Sequence, residues 1–119
     1  MTSAKSTLRK AALVGLYFSG ASKLFRSWGG GVGAILTLHR VRPSRKDVFQ
    51  PNKALEVTPE FLEDTIVWLR RNRNDLVSLD EARSRLVNRR FDRRFVAITL
   101  DDGYRDNNVW ARPIFTKHD

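Results

Sequence analysis

Cysteine is absent from this 119-residue chain, which excludes a disulfide-stapled scaffold, a thiolate zinc site and a thiol nucleophile. Histidine is nearly so. His39 and His118 are the only imidazoles, and a metal centre built wholly inside the chain would depend on carboxylates. Acids are outnumbered, 13 Asp and Glu against 22 Lys and Arg, for a formal charge of +9. Long hydrophobic runs are missing too: Ala11 to Phe18, the most apolar stretch near the start, falls far short of the ~20 residues that span a bilayer. A stable membrane span is therefore not expected. What is present, 41% apolar and 29% charged residues, suffices to bury one core and is too short for two enzyme domains.

Residues 5–26 read as a first helix, and Gly29-Gly30-Gly31-Val32-Gly33 ends it because consecutive glycines have too much backbone freedom to continue a helix. Lys5, Arg9 and Lys10 ahead of the apolar run, with Ser19-Gly20-Ala21 behind it, also have the form of an export signal. Gly15 and Tyr17 dilute that run, and the pattern continues through Lys23, Leu24 and Phe25. A cytoplasmic packing helix is the favoured reading, with export as the alternative. The glycines match G-x-G-x-x-A through Gly29, Gly31 and Ala34, but a dinucleotide fingerprint needs a strand before and a helix after. Here the order is reversed, and the stretch is a linker. The chain divides into a segment 1–31, helix and linker, and a segment 32–119.

Ala34-Ile35-Leu36-Thr37-Leu38 is a short apolar run of the kind found in strands covered on both faces. His39 follows, and the polar stretch to Lys53 reads as a loop. Thr58-Pro59-Glu60 opens a helix over 58–71, with a hydroxyl cap, a proline in the first turn and Phe61, Leu62, Ile66 and Leu69 facing a core. Ser78 with Glu81 three residues later is a capping-box pattern for a helix over 79–88, with Ala82, Leu86 and Val87 as its apolar face. Residues 95–100, Phe-Val-Ala-Ile-Thr-Leu, form the best strand pattern and stop at Asp101-Asp102-Gly103-Tyr104. Pro113 disfavours α geometry at Arg112 and predicts a last helix from Pro113 to His118. Nine arginines lie between Arg70 and Arg94, interleaved with Asp75, Asp80, Glu81 and Asp92 and without an aromatic ladder. That pattern reads as a solvated surface and not as a nucleic-acid face.

The order helix–strand–helix–helix–strand–helix predicts an α/β protein with a parallel sheet. Two doubly covered strands cannot complete such a sheet, so the sequence looks unfinished. In α/β folds ligands gather at the carboxyl ends of strands, where both His39 and the Asp101-Asp102 pair fall. Adjacent carboxylates after six apolar residues are costly to desolvate without a partner or a metal. Leaving a strand they point in different directions, so one can ligate a metal while the other addresses its bound water. Asp-Asp-Gly also suits an ordinary turn, with Asp capping the backbone and Gly supplying positive φ. On residue types alone both readings stand.

Ile98-Thr99-Leu100-Asp101-Asp102-Gly103-Tyr104 resembles the first motif of the polysaccharide deacetylase family, the group that includes the chitooligosaccharide deacetylase of rhizobial nodulation. Leu100 replaces the usual Phe of T-F-D-D-G. Arg105-Asp106-Asn107 and Ala111-x-Pro113-Ile114 are similar to the family's continuation into its next helix. Upstream, Ile35-Leu36-Thr37-Leu38-His39-Arg40-Val41 is similar to a first strand, and Val57-Thr58-Pro59-Glu60-Phe61 to the next helix start. The resemblance covers roughly residues 32–119, with three landmarks in the family's order.

It implies a fold, an N-terminal fragment of a distorted (β/α) barrel of the polysaccharide deacetylase type. It also implies an activity, metal-dependent hydrolysis of N-acetyl groups from a chitooligosaccharide or related polysaccharide. Asp101 would be the general base and Asp102 a ligand of a divalent metal, usually zinc, with His39 and Tyr104 lining the cleft. The family's other ligands come from His-[Ser/Thr]-x-x-His on a later strand, a spacing this sequence lacks. The expectation is a truncated domain that does not retain the metal and is inactive by itself. The alternative of a different class is a small basic module that binds nucleic acid or an acidic polymer.

Overall fold

In a computed structural model, residues 3–20, 31–47 and 49–119 are described, and they form two compact units, Met1–Gly31 and Val32–Asp119. Among the described residues the first unit has one helix, α1 (Ser3–Phe18). Residues 21–26 of the expected helix lie outside the described residues, as do Gly29 and Gly30 of the expected glycine linker. Among the described residues no helix is long and apolar enough to cross a membrane.

The second unit is a mixed α/β body built on three parallel strands, β1 (Gly33–Leu38), β4 (Asp75–Leu76) and β5 (Phe95–Leu100), with β5 central in the order β1-β5-β4. A second, two-residue parallel pair joins β2 (Arg40–Val41) to β3 (Glu56–Val57). The helices are α2 (Pro59–Arg71), α3 (Leu79–Val87) and α4 (Arg112–Lys117). β4 lies between α2 and α3, where the sequence pattern held no strand. Its two paired residues are too few for a period-2 signal.

Side chains alternate across β5 with the strand period of two. Val96, Ile98 and Leu100 point toward α2 and α4. Ile98 and Leu100 join a core built on Val41, Leu62, Ile66 and Ala111. Phe95 and Ala97 point to the opposite face and pack with Ala82 of α3. Leu62, Ile66 and Leu69 are buried as the helical spacing requires, and each is worth roughly 1.5–3 kcal/mol of burial. Other expected core positions are not buried. Phe61 is 58% exposed, and Leu86 and Val87 face solvent, because α3 meets the sheet only along the row of Ala82. β1 is not covered on both faces either. It is an edge strand, and Ile35 is 57% exposed on the α3 side, which α3 does not reach. Gly33 belongs to β1 and not to a linker: a Cβ there would meet the Phe95 carbonyl oxygen at 2.6 Å and its ring at 2.7 Å.

The caps follow the local sequence. Thr58 Oγ1 accepts from the Phe61 N–H at 3.2 Å, and Ser78 Oγ accepts from the Glu81 N–H at 3.1 Å. The Glu81 carboxylate turns away to Arg85 at 2.8 Å and Arg90 at 3.2 Å, so only one limb of the capping box forms. Arg85 continues to Asp75 at 2.8 Å, which ties α3 to the start of β4. The last helix starts earlier than Pro113, at Arg105, and widens into a π turn over Asn107–Ala111 before α4. Arg112 is helical, φ −55° and ψ −47°, contrary to the expected effect of Pro113. The wide turn explains this: the Arg112 N–H bonds to the Asn107 carbonyl, which opens the helix where the proline ring would press on the preceding turn.

Both α2 and α3 end with an arginine in left-handed geometry, Arg73 (φ 57°) and Arg89 (φ 51°). At each the chain closes in the same two bonds: Arg73 N–H to Arg70 and Asn74 N–H to Leu69, then Arg89 N–H to Leu86 and Arg90 N–H to Arg85. Glycine is the residue that occupies this position without strain. Arg73→Gly and Arg89→Gly are each expected to stabilise the fold by about 0.5–1 kcal/mol, read as a higher urea midpoint at unchanged slope. Destabilisation by both would show that the arginine side chains contribute more than the strain costs.

Acid should loosen the fold through two carboxylates. Hydrogen bonds from Lys117 and then His118 hold Glu63 below the ordinary value of 4.5, and the hydrogen bond from Arg85 does the same for Glu81. A lowered folded pKa contributes stability that is present above 4.5 and lost as pH falls through the folded value. The urea midpoint should drop below that pH, and Glu63→Gln with Glu81→Gln should flatten the drop.

Candidate active-site corner

β1 and β5 run parallel and in register from Gly33 opposite Phe95 to Leu38 opposite Leu100. Their carboxyl ends therefore coincide, and the next residues, His39 and Asp101, leave the same edge of the sheet. The Asp101 N–H donates to the Leu38 carbonyl at 2.8 Å, which pins the start of the acidic turn to the end of β1. One step inside, Thr99 Oγ1 and Thr37 Oγ1 are 3.2 Å apart across the two strands.

Asp102 (φ 63°) and Gly103 (φ 56°) are both left-handed, which reverses the chain sharply after Asp101. A Cβ at Gly103 would meet nothing within 4 Å, so glycine is needed there for its backbone angle and not for space. Aspartate tolerates the left-handed region better than most residues. The turn leaves Asp101 and Asp102 exposed, and neither carboxylate has an ion pair among the described residues. The expected desolvation is not present: water reaches both carboxyl groups. Tyr104, half-buried, follows, and its carbonyl accepts from the Asn107 N–H at 3.0 Å to begin the helical turn.

Three residues outside the expected set organise this corner. Asn107, only 7% exposed, donates from Nδ2 to the His39 carbonyl at 2.8 Å and accepts at Oδ1 from the Val41 N–H at 2.8 Å. It supplies to the bend after β1 the donor and acceptor that a neighbouring strand would supply. Arg40 places both Nε and Nη2 at 2.7 Å from Asp106 Oδ2, and its guanidinium sits 4.9 Å above the Tyr104 ring. Glu56 lies 3.6 Å from Arg40 and 3.2 Å from Arg45, which joins β3 to the same network. Arg40, Asp106 and Asn107 stood inside the matched motifs. The contact between residues 66 positions apart had no signal in a single sequence.

His39 is half-buried at the bend, held there by its own carbonyl. The structure thus brings His39, Asp101, Asp102 and Tyr104 to one sheet edge. Among the described residues no group of three or more His, Cys, Asp or Glu could hold a metal ion. The donor set does not fit a catalytic zinc, which takes three protein ligands and keeps one position open. A cavity of about 390 Å³ lies beside Leu100, Asn107 and Arg112, at the base of this corner, and two others lie further off. One of about 270 Å³ opens between α2, β4 and α4, beside Ile66, Leu76 and Phe115, and one of about 340 Å³ lies between β1 and α2, beside Leu36 and Leu62.

Compared with family models, curated proteins and solved structures, the chain matches none.

Asn107 is the residue whose loss the corner should feel most. Asn107→Ala leaves the His39 carbonyl and the Val41 N–H without their partner, at a cost of about 2–4 kcal/mol. The check is the urea midpoint, together with faster amide exchange at Val41. A change under about 0.5 kcal/mol would mean that water replaces the amide at no cost.

Proposed function

We propose that residues 32–119 are the first-motif part of a carbohydrate deacetylase domain, with Asp101 as the general base for hydrolysis of an N-acetyl amide. One observation carries this reading. Parallel, in-register pairing sets the acidic turn and His39 at the same carboxyl edge, where α/β folds do their chemistry. The barrel reading draws support from the parallel order β1-β5-β4 and from the open outer edge of β1, which a barrel would cover with further strands. An exposed carboxylate fixed at its backbone can take a proton from an attacking water, and the turn aims it away from the sheet. The substrate class is an N-acetylated oligo- or polysaccharide.

The family's divalent metal would supply Lewis-acid chemistry at Asp102. These 119 residues offer it one carboxylate and lack the two imidazoles, so the reading requires ligands from outside them. The competing reading, a basic binding module, draws on the arginines between 70 and 94. It is weakened because Arg85, Arg90 and Arg93 are engaged by Glu81 and Asp75.

The test joins residues 32–119 to the carboxyl-terminal part of a polysaccharide deacetylase that carries His-[Ser/Thr]-x-x-His. The chimaera should release acetate from a chitooligosaccharide only with zinc present. Asp101→Asn should lower turnover about 10²–10⁴-fold, the usual contribution of a general base, with zinc still bound. Asp102→Ala should lower zinc affinity instead. Turnover indifferent to Asp101→Asn in a folded chimaera would overturn the assignment. So would tight, steeply salt-dependent binding of the 119-residue chain to duplex DNA.

A further inference from the structure

We propose that α1 docks on the surface of an anionic lipid bilayer. The inference is independent of the deacetylase reading, since it uses only the first unit. Residues 1–46 contain no acid at all; Asp47 is the first in the chain. Lys5, Arg9, Lys10, Lys23 and Arg26 give the segment 1–31 a charge of +5, more than half of the total +9 in about a quarter of the length.

Large apolar side chains stand among these cations. Leu8, Leu13, Val14, Leu16, Tyr17 and Phe18 are each more than half exposed. Leu8, Ala11, Gly15 and Phe18 recur at helical spacing and make an apolar stripe, while Arg9 and Lys10 lie off it. A 16-residue helix is about 24 Å long, too short to span the ~30 Å hydrocarbon layer and long enough to lie in its interface. Partial immersion buries the stripe while the cationic stems reach back to the headgroup phosphates.

Charge complementarity selects this occupant over the others. A second copy would bring another +5 segment without acids, and the two would repel. A nucleic acid would neutralise the cations and leave Leu8 and Phe18 in water. An anionic bilayer satisfies both features.

The experiment uses the whole 119-residue chain and sedimentation with vesicles. In about 0.1 M salt the chain should bind phosphatidylcholine–phosphatidylglycerol (three to one) vesicles at least ~10-fold more tightly than phosphatidylcholine alone. Arg9→Gln with Lys10→Gln should weaken binding about 30-fold (~2 kcal/mol at tenfold per 1.4 kcal/mol). Leu8→Gln with Phe18→Gln, which keeps every charge, should weaken it about 100-fold. Arg89→Gln with Arg90→Gln, in the second unit, should change nothing. Equal binding to both vesicle types, or none, would overturn the proposal. It would also fall if duplex DNA bound as tightly as the anionic vesicles and survived Leu8→Gln with Phe18→Gln, which would identify a phosphate-polymer surface.

Discussion

The buried amide of Asn107 is the constraint on which the candidate corner depends. β1 pairs with β5 only as far as Leu38, and beyond it the chain bends into β2 with a carbonyl and an N–H that need partners. In a low-dielectric interior an unpaired backbone group costs more than an average hydrogen bond contributes. Asn107 satisfies both groups and so locks the first turn of the last helix to the end of β1. The acidic turn between them is then held at both ends, by the Asp101 N–H on Leu38 and by the Tyr104 carbonyl on Asn107. Exposed carboxylates on a fixed frame result, which is what positioning a proton acceptor requires.

Parallel pairing gives the sheet two chemically different edges. The carboxyl edge carries the acidic turn, and the amino edge receives the loops that follow α2 and α3, with Arg73 and Arg89 in left-handed geometry. Arginine at a helix carboxyl end is favoured by the macrodipole, which offsets part of the backbone strain. That local benefit accounts for arginine at these positions without a ligand. The first unit differs: its cations have no acid nearby in the chain, and its large apolar side chains are exposed.

Local patterns made the larger elements readable in the sequence. Thr58-Pro59 and Ser78 marked helix starts that the structure places within a residue, and the 95–100 strand agrees at both ends. These signals are short-range: a hydroxyl three residues from the N–H it caps, or a β-branched run. What escaped was non-local. β4 is two residues long, so its strand character comes from Phe95 and Val96 beside it and not from its own sequence. The same holds for burial. Ile35, Phe61, Leu86 and Val87 have core composition, yet their exposure is decided by which neighbour covers which face. At the site, Asp101, Asp102, His39 and Tyr104 were legible through a motif and strand ends. The Asn107 clamp and the Arg40–Asp106 pair join positions 66 apart and had no local trace.

Among the described residues neither carboxylate of the acidic turn has an ion pair, although acids close by do. Cations outnumber acids in this chain, so an arginine is at hand to pair with many of its acids. Around the corner this happens: Asp106 binds Arg40, Glu56 binds Arg45, and Asp47 lies 3.3 Å from Arg45. Arg40 even rests on the ring of Tyr104, two residues past Asp102, and still directs its guanidinium to Asp106. The left-handed backbone of Asp102 carries the pair outward from that network. A turn needed only to reverse the chain could place Asn or Gly at both positions without strain and without adding charge repulsion between neighbours. Two adjacent acids here add a repulsion that the turn itself does not offset, and with Arg40 held by Asp106 both carboxylates face water.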